Sequence, residues 1–478
     1  MTTRMEANNY ISGRWEVLTN RREVVNPAHL NQVVGTVGLS STKEADAAVS
    51  AANEALPAWQ RLGGVARGNL LYAAAHTLEL HVDELAKLAV REMGKPIGEA
   101  RGEAMRAVGI LRYYAGEGYR TIGDVIPATN AAVLQYTTRE ALGTVALITP
   151  WNFPLAIPLW KMAPALIYGN TVVMKPAELA SLSAARMFEI LGPLFPPGVV
   201  NLVVGLGSEV GEALIQHPLV KGISFTGSSG VGAHIAATAV SRNIKYQTEM
   251  GGKNPVIVAD DADLDLAVEA IVSGAMRSAG QKCTATSRVI VLEGAHDALR
   301  DRLAARIREI KQGDPMDTDT YLGPVVSKPQ FDKIMGLIDA GKREGSELIL
   351  GGTASDPDGY FVAPTLFDQV GPDVTIAQEE IFGPVIGMTL VRTIDEAIEV
   401  ANHIRYGLSA AVFTASLKTA MTFVESIEAG MVRVNDETAG VELQAPFGGV
   451  KASSSHSREQ GPAAIDFYTH MKTVAIRP

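Results

Sequence analysis

The chain has 478 residues and a net charge of −10 at pH 7. A chain of this length exceeds one compact core, so we expect two or three domains. The acidic balance disfavours a nucleic-acid partner, and a composition of 47% apolar and 20% charged residues is ordinary for a globular protein.

Membrane and secretion signals are missing from the sequence. No apolar run reaches the ~18 residues of a membrane span. Residues 1–10 lack the apolar core of a signal peptide. The chain has a single cysteine, which leaves it without a disulfide partner. We therefore expect a cytoplasmic protein with no membrane partner.

The first part of the chain combines short strands with a long helical region. Residues 10–40 are predicted to form short strands joined by turns, and over residues 42–118 apolar residues recur at helical spacing. Ser41 and Glu44 are typical of a helix start, because the serine can cap the first turn and the glutamate can return a hydrogen bond. Residues 124–141 then predict an extended excursion.

From Gly143 onward, strands and helices alternate. The predicted strands are 144–149, 169–175, 199–205, 222–227, 255–258, 288–292, 385–391, 409–414 and 430–434. The predicted helices are 155–168, 182–194, 231–240, 263–277, 295–311, 328–344 and 394–404. Such alternation indicates parallel sheets with helices on both faces. The C-terminal residues 469–476 return to an extended pattern, and we find no internal repeat.

Cys283 and Glu249 are the candidates for covalent chemistry. Cys283 ends the segment Gly280-Gln281-Lys282-Cys283 and has polar neighbours, so the sequence leaves open a reactive thiol or a buried filler. Glu249 precedes two glycines that would let the backbone approach a ligand. It is either a surface carboxylate or the base that a thiol nucleophile needs in the second half of its reaction.

Three segments have features of a nucleotide site. The loop 225–232 is rich in glycine, which allows backbone N–H groups to approach a phosphate, but it lacks the GxGxxG spacing and could be an isolated glycine-rich turn. Lys175 ends a predicted strand and Glu178 follows three residues later, so the pair could hold ribose hydroxyls or form an ordinary surface pair. Glu380 lies two residues from Phe382, and this pair suits either a ribose and a base or a helix end with a core ring.

Asn152 follows a predicted strand in the segment Trp151-Asn152-Phe153-Pro154. A fixed amide there can donate to a developing oxyanion, although capping a turn is the simpler role. The sequence contains no HExxH motif, no CxxC motif and no cluster of histidines. We therefore predict no structural or catalytic metal.

Together and in this order, these segments resemble the aldehyde dehydrogenase superfamily. The matching motifs are Thr149-Pro150-Trp151-Asn152-Phe153-Pro154, Lys175-Pro176-Ala177-Glu178, Phe225-Thr226-Gly227-Ser228, Glu249-Met250-Gly251-Gly252-Lys253, Gly280-Gln281-Lys282-Cys283 and Glu380-Ile381-Phe382-Gly383-Pro384. The resemblance extends from Ile11 to the C-terminus. It implies an α/β fold with two Rossmann-like parallel-sheet domains and a small β oligomerisation arm.

The resemblance also implies where these parts lie. Residues 1–123 and 142–250 would form the cofactor-binding domain, and residues 251–440 the catalytic domain. Residues 124–141 and 458–478 would form the arm, which could extend a sheet of a neighbouring subunit. Members of the family are usually dimers or tetramers, so we expect a homodimer or a homotetramer.

The resemblance gives each matching residue a role. Cys283 corresponds to the nucleophile, Glu249 to the general base and Asn152 to the oxyanion donor. The implied reaction oxidises a small aldehyde to the carboxylate through a cysteine thioester. NAD is the implied cofactor, with NADP as the alternative, because the charge of Glu178 repels a 2′-phosphate. The implied cofactor contacts are Trp151, Lys175, Glu178, Gly227, Ser228, Gly232, Glu380 and Phe382.

Two further features bear on the substrate. The stretch from Ser453 to Gly461 is similar to that of members that oxidise 2-oxoglutarate semialdehyde, a short acidic aldehyde. Arg277 lies six residues before Cys283, at the spacing of a carboxylate-binding arginine in succinate semialdehyde dehydrogenases, although it could also neutralise a helix end. Those enzymes carry a second arginine where this chain has Trp160, which leaves one cationic anchor beside an aromatic wall.

Three alternatives stay open from the sequence. The enzyme could act on neutral or aromatic aldehydes, or it could transfer the acyl group to CoA. Glu249 favours hydrolysis over CoA transfer. The third alternative is a non-catalytic scaffold on the same fold, which the presence of Cys283, Glu249 and Asn152 disfavours.

Overall fold

A computed structural model describes residues 5–477 of the chain. The N-terminal part is a three-stranded sheet followed by four packed helices. In spatial order the sheet contains Met5–Ala7, His29–Gly38 and Arg21–Asn26. The helices are Thr42–Arg61, Gly64–Glu79, Val82–Met93 and Ile97–Glu117, which confirms the helical prediction for this region.

The helix Thr42–Arg61 begins as its sequence predicts. The Ser41 hydroxyl accepts the backbone N–H of Lys43 at 3.2 Å, and the Glu44 carboxylate accepts the N–H of Ser41 at 2.8 Å. These bonds satisfy N–H groups that the start of a helix otherwise leaves without partners. The buried face of this helix shares a core cluster with strands of the first large sheet.

The first large sheet has seven strands. In spatial order they are Lys245–Glu249, Val220–Thr226, Thr144–Thr149, Thr171–Pro176, Val200–Leu202, Asn9–Ile11 and Arg14–Glu16. The first five are parallel. Asn9–Ile11 runs antiparallel to Val200–Leu202, and Arg14–Glu16 runs antiparallel to Asn9–Ile11. Helices between the strands are Ala156–Ile167, Ser181–Leu191, Glu212–Gln216 and Ser229–Ser241. The strand Lys245–Glu249 is not predicted from the sequence, because its polar composition does not resemble a buried parallel strand.

The second large sheet also has seven strands. In spatial order they are Glu347–Leu350, Thr365–Asp368, Val385–Val391, Thr286–Leu292, Asn254–Val258, Ser409–Phe413 and Met431–Val434. All except the first are parallel. Its helices are Leu264–Met276, Glu293–Arg308, Lys328–Arg343, Thr375–Gln378, Ile394–Asn402 and Leu417–Ser426.

Parts of the second sheet are not predicted from the sequence. Its first two strands are too short to predict, because periodicity over four residues does not separate strand from helix. The helix Leu417–Ser426 is also not predicted. Three large apolar residues of this helix, Leu417, Met421 and Val424, are exposed, which obscures the usual contrast between a buried apolar face and a polar one.

A third sheet contains the predicted extended excursion and the C-terminal strand. Thr469–Ile476 pairs antiparallel with Leu134–Ala141, which also pairs with Val125–Ile126. A short helix, Ala464–Tyr468, leads into the C-terminal strand. Two small strand pairs complete the fold: Ala354–Asp356 with Phe361–Val362, and Tyr406–Gly407 with Val450–Lys451. Within residues 5–477, no helix combines the length and the apolar character needed to cross a membrane.

Candidate active site

The candidate site lies where the chain crosses from the first large sheet to the second. The strand Lys245–Glu249 ends at Glu249, and the strand Asn254–Val258 begins only five residues later. Cys283 and Glu380 each lie a few residues before a strand of the second sheet. The site is therefore built from the carboxyl ends of strands in one sheet and the amino ends of strands in the other. The carboxyl ends of parallel strands are where α/β proteins bind ligands.

Cys283 is partly exposed, and its position is fixed by a hydrogen bond to its backbone carbonyl group. Its carbonyl oxygen accepts a hydrogen bond from the Asn254 side chain at 2.8 Å, and the same amide group also donates to Ala285. Burial, and then the charges of Glu380 and Glu249, raise the pKa of the Cys283 thiol to about 12. Backbone N–H groups of Cys283 and Thr284 act in the opposite direction. The thiol is therefore protonated at neutral pH in this arrangement.

The loop before Cys283 has an unusual backbone. Ser278, Ala279 and Gly280 have φ values of 54°, 53° and 67°, in the left-handed region. A Cβ on Gly280 would lie 2.2 Å from the carbonyl oxygen of Gly383, so only glycine fits there. The two non-glycine residues in left-handed conformation store strain that surrounding contacts must hold. This turn brings the cysteine loop against the segment that contains Glu380.

Glu249 is 2% exposed and lies in a polar interior. Its Oε2 accepts a hydrogen bond from the Ser454 hydroxyl at 2.5 Å, whereas its Oε1 has no partner among the described residues. Burial, and then the charge of Glu459, hold the pKa of the Glu249 carboxyl well above its usual value. A Cβ on Gly448 would stand 3.0 Å from Oε1, so the absence of a side chain there leaves space beside the carboxylate.

A buried ion pair that is not predicted from the sequence lies behind Glu249. The Lys161 ammonium donates to the Glu459 carboxylate and also to the Ser224 hydroxyl at 3.0 Å. Lys161 is fully buried and Glu459 is 2% exposed. A signal for this pair exists in the sequence, because Lys161 is the one charged residue in an otherwise apolar helix. Nothing in the sequence pattern connects it to Glu459, 298 residues away.

Asn152 is 4% exposed and lies next to the cysteine loop. Its Nδ2 donates to the carbonyl oxygen of Gln281 at 2.9 Å. A carboxamide nitrogen carries two N–H groups, so one donor is left for another acceptor. The helix that follows is fixed at its start, because the Glu103 carboxylate accepts the backbone N–H groups of Leu155 and Ala156. The position of Asn152 is thus set by contacts on both sides.

Lys175 and Glu178 lie at the end of the strand Thr171–Pro176. The Lys175 ammonium is nearly buried and is 3.6 Å from the Glu178 carboxylate. Burial lowers the pKa of the Lys175 ammonium, and the charge of Glu178 opposes this change. Glu178 also accepts the backbone N–H of Gly207 at 2.9 Å. The two charged groups are therefore preorganised at a strand end, which suits hydroxyl groups of a ribose.

Two buried hydroxyl groups lie at neighbouring strand ends. Thr149 and Thr226 each have a side-chain oxygen with no partner among residues 5–477. They are the last residues of two paired strands, and Gly227 and Ser228 directly follow Thr226. Ser228 precedes the helix Ser229–Ser241 without capping it by its side chain. The Gly227 N–H donates to the carbonyl oxygen of Glu249, so the N–H groups offered here are those that the start of the helix leaves without partners. Together with the unpartnered hydroxyls they fit a phosphate-containing cofactor.

Gly232 and Glu380 each contact the segment Met250–Gly252. A Cβ on Gly232 would stand 2.4 Å from the sulfur of Met250. The Glu380 carboxylate accepts the backbone N–H of Gly252 at 3.0 Å, and burial raises the pKa of its carboxyl. Phe382 has φ 56° and its ring lies edge-on to Trp151, with 5.5 Å between ring centroids. These contacts join the predicted cofactor segments of the two sheets.

The two predicted substrate residues have different surroundings. Trp160 is 8% exposed, and its ring lies 5.3 Å from that of Phe447, in the core cluster against which Cys283 packs. Arg277 follows the helix Leu264–Met276, which ends one residue earlier than predicted. Its guanidinium is exposed and stacks on the ring of Tyr321 at 5.7 Å. The role of Arg277 as a carboxylate ligand therefore stays a prediction.

The described residues contain no group of three or more histidine, cysteine, aspartate or glutamate side chains placed to hold a metal ion. The fold and the site instead match one family along nearly the whole chain. Residues 16–474 match the model of the aldehyde dehydrogenase family. The chain belongs to this family and is an aldehyde dehydrogenase.

Particular members of the family match closely. The alpha-ketoglutaric semialdehyde dehydrogenase of Bacillus subtilis (strain 168) is 52% identical over 480 aligned positions, with 98% of both chains covered. The alpha-ketoglutarate semialdehyde dehydrogenase of Haloferax volcanii is 42% identical, again with 98% of both covered. A crystal structure of betaine aldehyde dehydrogenase from Staphylococcus aureus in complex with NAD⁺ matches with a TM-score of 0.96 and 35% identity, covering 99% of this chain and 95% of that one.

Proposed function

We propose that the enzyme oxidises a short acidic semialdehyde such as 2-oxoglutarate semialdehyde to the carboxylate, with NAD as cofactor and through a thioester on Cys283. The observation that carries the chemistry is the meeting of Cys283, Glu249 and Asn152 at one junction between two sheets. The names of the Bacillus subtilis and Haloferax volcanii relatives support the choice of substrate.

The residues present fit a nicotinamide dinucleotide. Lys175 and Glu178 would hold the adenosine ribose, and Gly227, Ser228 and the helix start would face the pyrophosphate. Glu380 with Phe382, opposite Trp151, and Gly232 would complete the cleft. When bound, the nicotinamide ring accepts the hydride that leaves the substrate carbon.

The first half of the reaction depends on Cys283 and Asn152. The Cys283 thiol first loses its proton to water, a step that the backbone N–H groups of Cys283 and Thr284 favour. The resulting thiolate attacks the aldehyde carbon, and the carbonyl oxygen becomes an oxyanion. The free N–H of the Asn152 amide and the backbone N–H of Cys283 are the donors proposed for this oxyanion. Because the amide already donates to Gln281, it is oriented before the charge develops. Loss of hydride then leaves an acyl thioester on the sulfur.

The second half depends on Glu249. In its observed position the carboxyl faces Ser454 and has one oxygen free. As a general base it would take a proton from water, which attacks the thioester and releases the acid and the free thiol. The environment that raises its pKa also makes it a stronger base, provided that it has lost its proton. A CoA-acylating enzyme would need no such base, so we place this alternative second.

NAD is proposed over NADP because of Glu178. Its carboxylate accepts hydrogen bonds from ribose hydroxyls, whereas a 2′-phosphate there would meet a like charge. The nearby Lys175 ammonium reduces this difference, since it lies only 3.6 Å from the carboxylate. The relative crystallised with NAD⁺ supports the same choice.

The division of the chain also stays a proposal. Residues 1–123 with 142–250 are assigned to cofactor binding, residues 251–440 to catalysis, and 124–141 with 458–478 to an oligomerisation arm. The arm sheet exposes apolar side chains, among them Val125, Leu134 and Met471. A three-stranded sheet with exposed apolar residues is suited to pairing with a second subunit, so we propose a homodimer or a homotetramer.

The test is an activity screen with product identification. Purified enzyme is incubated with 2-oxoglutarate semialdehyde, with a neutral aldehyde of the same length and with an aromatic aldehyde, each with NAD or NADP. We expect the highest kcat/KM for the acidic aldehyde with NAD, and at least one heavy oxygen in the new carboxylate when the solvent is heavy-oxygen water. A preference for neutral or aromatic aldehydes would contradict the proposed substrate. Formation of an acyl-CoA when CoA is added would favour the acylating alternative.

A further inference from the structure

A second arginine, which no sequence motif marks, lies close to the proposed aldehyde pocket. Arg106 belongs to the helix Ile97–Glu117, one turn after Glu103, which anchors the helix that carries Trp160. The guanidinium is partly buried, and burial lowers the pKa of Arg106. The exposed carboxylate of Glu442 is a nearby charge that acts in the opposite direction.

The surroundings of Arg106 connect it to the core cluster that reaches Cys283. Neighbouring residues of its helix, Ala104 and Ala107, belong to that cluster, and Cys283 packs against it. A Cβ on Gly109 would stand 3.1 Å from the side chain of Leu443, so the helix lies directly against the C-terminal loop. Arg106 is therefore placed between this helix and the loop that supplies Phe447 to the aromatic wall.

The contact that Arg106 makes leaves donors unused. Its Nη2 donates to Oε1 of Gln460 at 3.1 Å, and within residues 5–477 this is its one described hydrogen bond. Gln460 is 1% exposed, and its Nε2 has no partner in the same part of the chain. The Oε1 and Nε2 atoms of Gln460 belong to one carboxamide, and Oε1 is bonded to the guanidinium of Arg106. An acceptor that reached Nε2 would therefore also lie near the guanidinium. An unpartnered buried donor costs about 1–3 kcal/mol, which indicates that an acceptor is missing.

Trp160 offers a third free donor, besides the guanidinium of Arg106 and the amide of Gln460, on the aromatic wall formed by Trp160 and Phe447. The indole Nε1 of Trp160 is buried without a partner among the described residues. Its ring packs on Phe447, whose backbone pairs with Glu459, the residue before Gln460. Guanidinium, carboxamide and indole groups all donate and, apart from the occupied Gln460 oxygen, offer no acceptor. Their combination matches a carboxylate, which carries only acceptors when ionised.

We propose that Arg106, with Gln460, binds the distal carboxylate of an acidic aldehyde and so sets the substrate specificity of the enzyme. This inference rests on the proposed function and names the specificity-determining residue of the same site. It assigns to Arg106 the role that the sequence suggests for Arg277, which is exposed and stacked on Tyr321.

The experiment compares three arginine variants on two substrates, 2-oxoglutarate semialdehyde and pentanal. Arg106→Met removes the charge and keeps most of the side-chain volume, and Arg112→Met is the matched control on the same helix, where Arg112 is exposed and paired with Glu79. Arg277→Met tests the competing assignment. For Arg106→Met we expect the KM for the acidic semialdehyde to rise about 10- to 100-fold, as for a lost charged hydrogen bond. The kcat/KM for pentanal should change less than about threefold.

Two further measurements complete the test. Glutarate should inhibit pentanal oxidation competitively in the wild type, and its inhibition constant should rise by the same factor in Arg106→Met. Arg106→Lys keeps the charge without the planar fork and should show a smaller, still selective loss. This variant decides the question if Arg106→Met does not fold.

The outcomes separate this inference from the proposed function. Equal losses on both aldehydes, or a selective loss in Arg277→Met alone, would overturn the role of Arg106 and leave the semialdehyde activity standing. A wild type that oxidises pentanal but no semialdehyde would contradict the proposed substrate. In that case competitive inhibition by glutarate that weakens in Arg106→Met would still support the anion subsite, and no inhibition by glutarate would contradict it.

Discussion

The cofactor side and the aldehyde side of Cys283 are built in different ways. On the proposed cofactor side, the key groups lie at strand ends or within a few residues of them: Lys175 and Glu178 at the end of one strand, and Gly227 and Ser228 after another. On the aldehyde side, the key contacts join residues far apart in the chain. Arg106 and Gln460 are separated by 354 positions, and Lys161 and Glu459 by 298.

This difference separates recognition by backbone from recognition by side chains. A dinucleotide is a large ligand with fixed chemistry, so glycine turns and helix starts at strand ends suffice to bind it. The aldehyde pocket must instead select among small molecules, and its selectivity depends on a few side chains placed by packing. We therefore expect changes at Cys283 and Glu249 to affect all substrates, and changes on either side to affect only one ligand.

The largest effect is expected at Cys283, where the two sides meet. Cys283→Ser should lower kcat by about 10⁴-fold or more with every aldehyde, because a hydroxyl is a far weaker nucleophile than a thiolate. The affinity for NAD and the melting temperature should stay near the wild-type values. Steady-state kinetics, cofactor titration and thermal unfolding measure these quantities. Turnover within tenfold of the wild type would contradict a covalent mechanism.

Glu249→Gln should lower the steady-state kcat by about 10²- to 10⁴-fold while sparing a first burst of reduced cofactor. Without the base, hydride transfer occurs but the thioester accumulates. Because the pKa of Glu249 is raised, the carboxyl keeps its proton to higher pH than usual and gains its basic form as the pH rises. The wild-type kcat should therefore rise with pH above the usual carboxyl range, and this dependence should vanish in the variant.

Stopped-flow absorbance and a pH series measure both features of the Glu249 prediction. Mass spectrometry of the stalled variant should find the acyl group on the peptide that contains Cys283. An absent burst together with unchanged steady turnover would rule out the assigned role.

The smallest effect is expected from Glu178→Gln, which tests the cofactor side alone. The neutral amide keeps an oxygen to accept the Gly207 N–H and removes the charge that opposes a 2′-phosphate. The ratio of kcat/KM for NADP to that for NAD should rise by roughly tenfold, which corresponds to about 1.4 kcal/mol. The KM for the aldehyde should not change. Glu209→Gln, at an exposed neighbouring position, is the matched control for the lost charge.

Much of the fold and part of the site follow from the sequence alone. Alternating strands and helices predict both parallel sheets, since burial on two faces leaves an apolar signature that local pattern reveals. Cys283, Glu249 and Asn152 stand out because each lies in a glycine-rich or strand-end segment, where a polar side chain can reach a ligand. The strand Lys245–Glu249 is not predicted, because its sequence is polar although its last three residues are buried. Its burial depends on packing beside the strand Val220–Thr226, which a local pattern does not show.

Tertiary structure alone decides the aldehyde pocket. The family resemblance favours Arg277 as the anion ligand, and in the structure this residue is exposed and its guanidinium lies over the ring of Tyr321. Arg106 carries no motif, and its position beside Gln460 depends on how the helix Ile97–Glu117 packs on the C-terminal loop. The physical reason is that a helix or strand signal is local, whereas the direction of a side chain is set by packing between segments hundreds of residues apart.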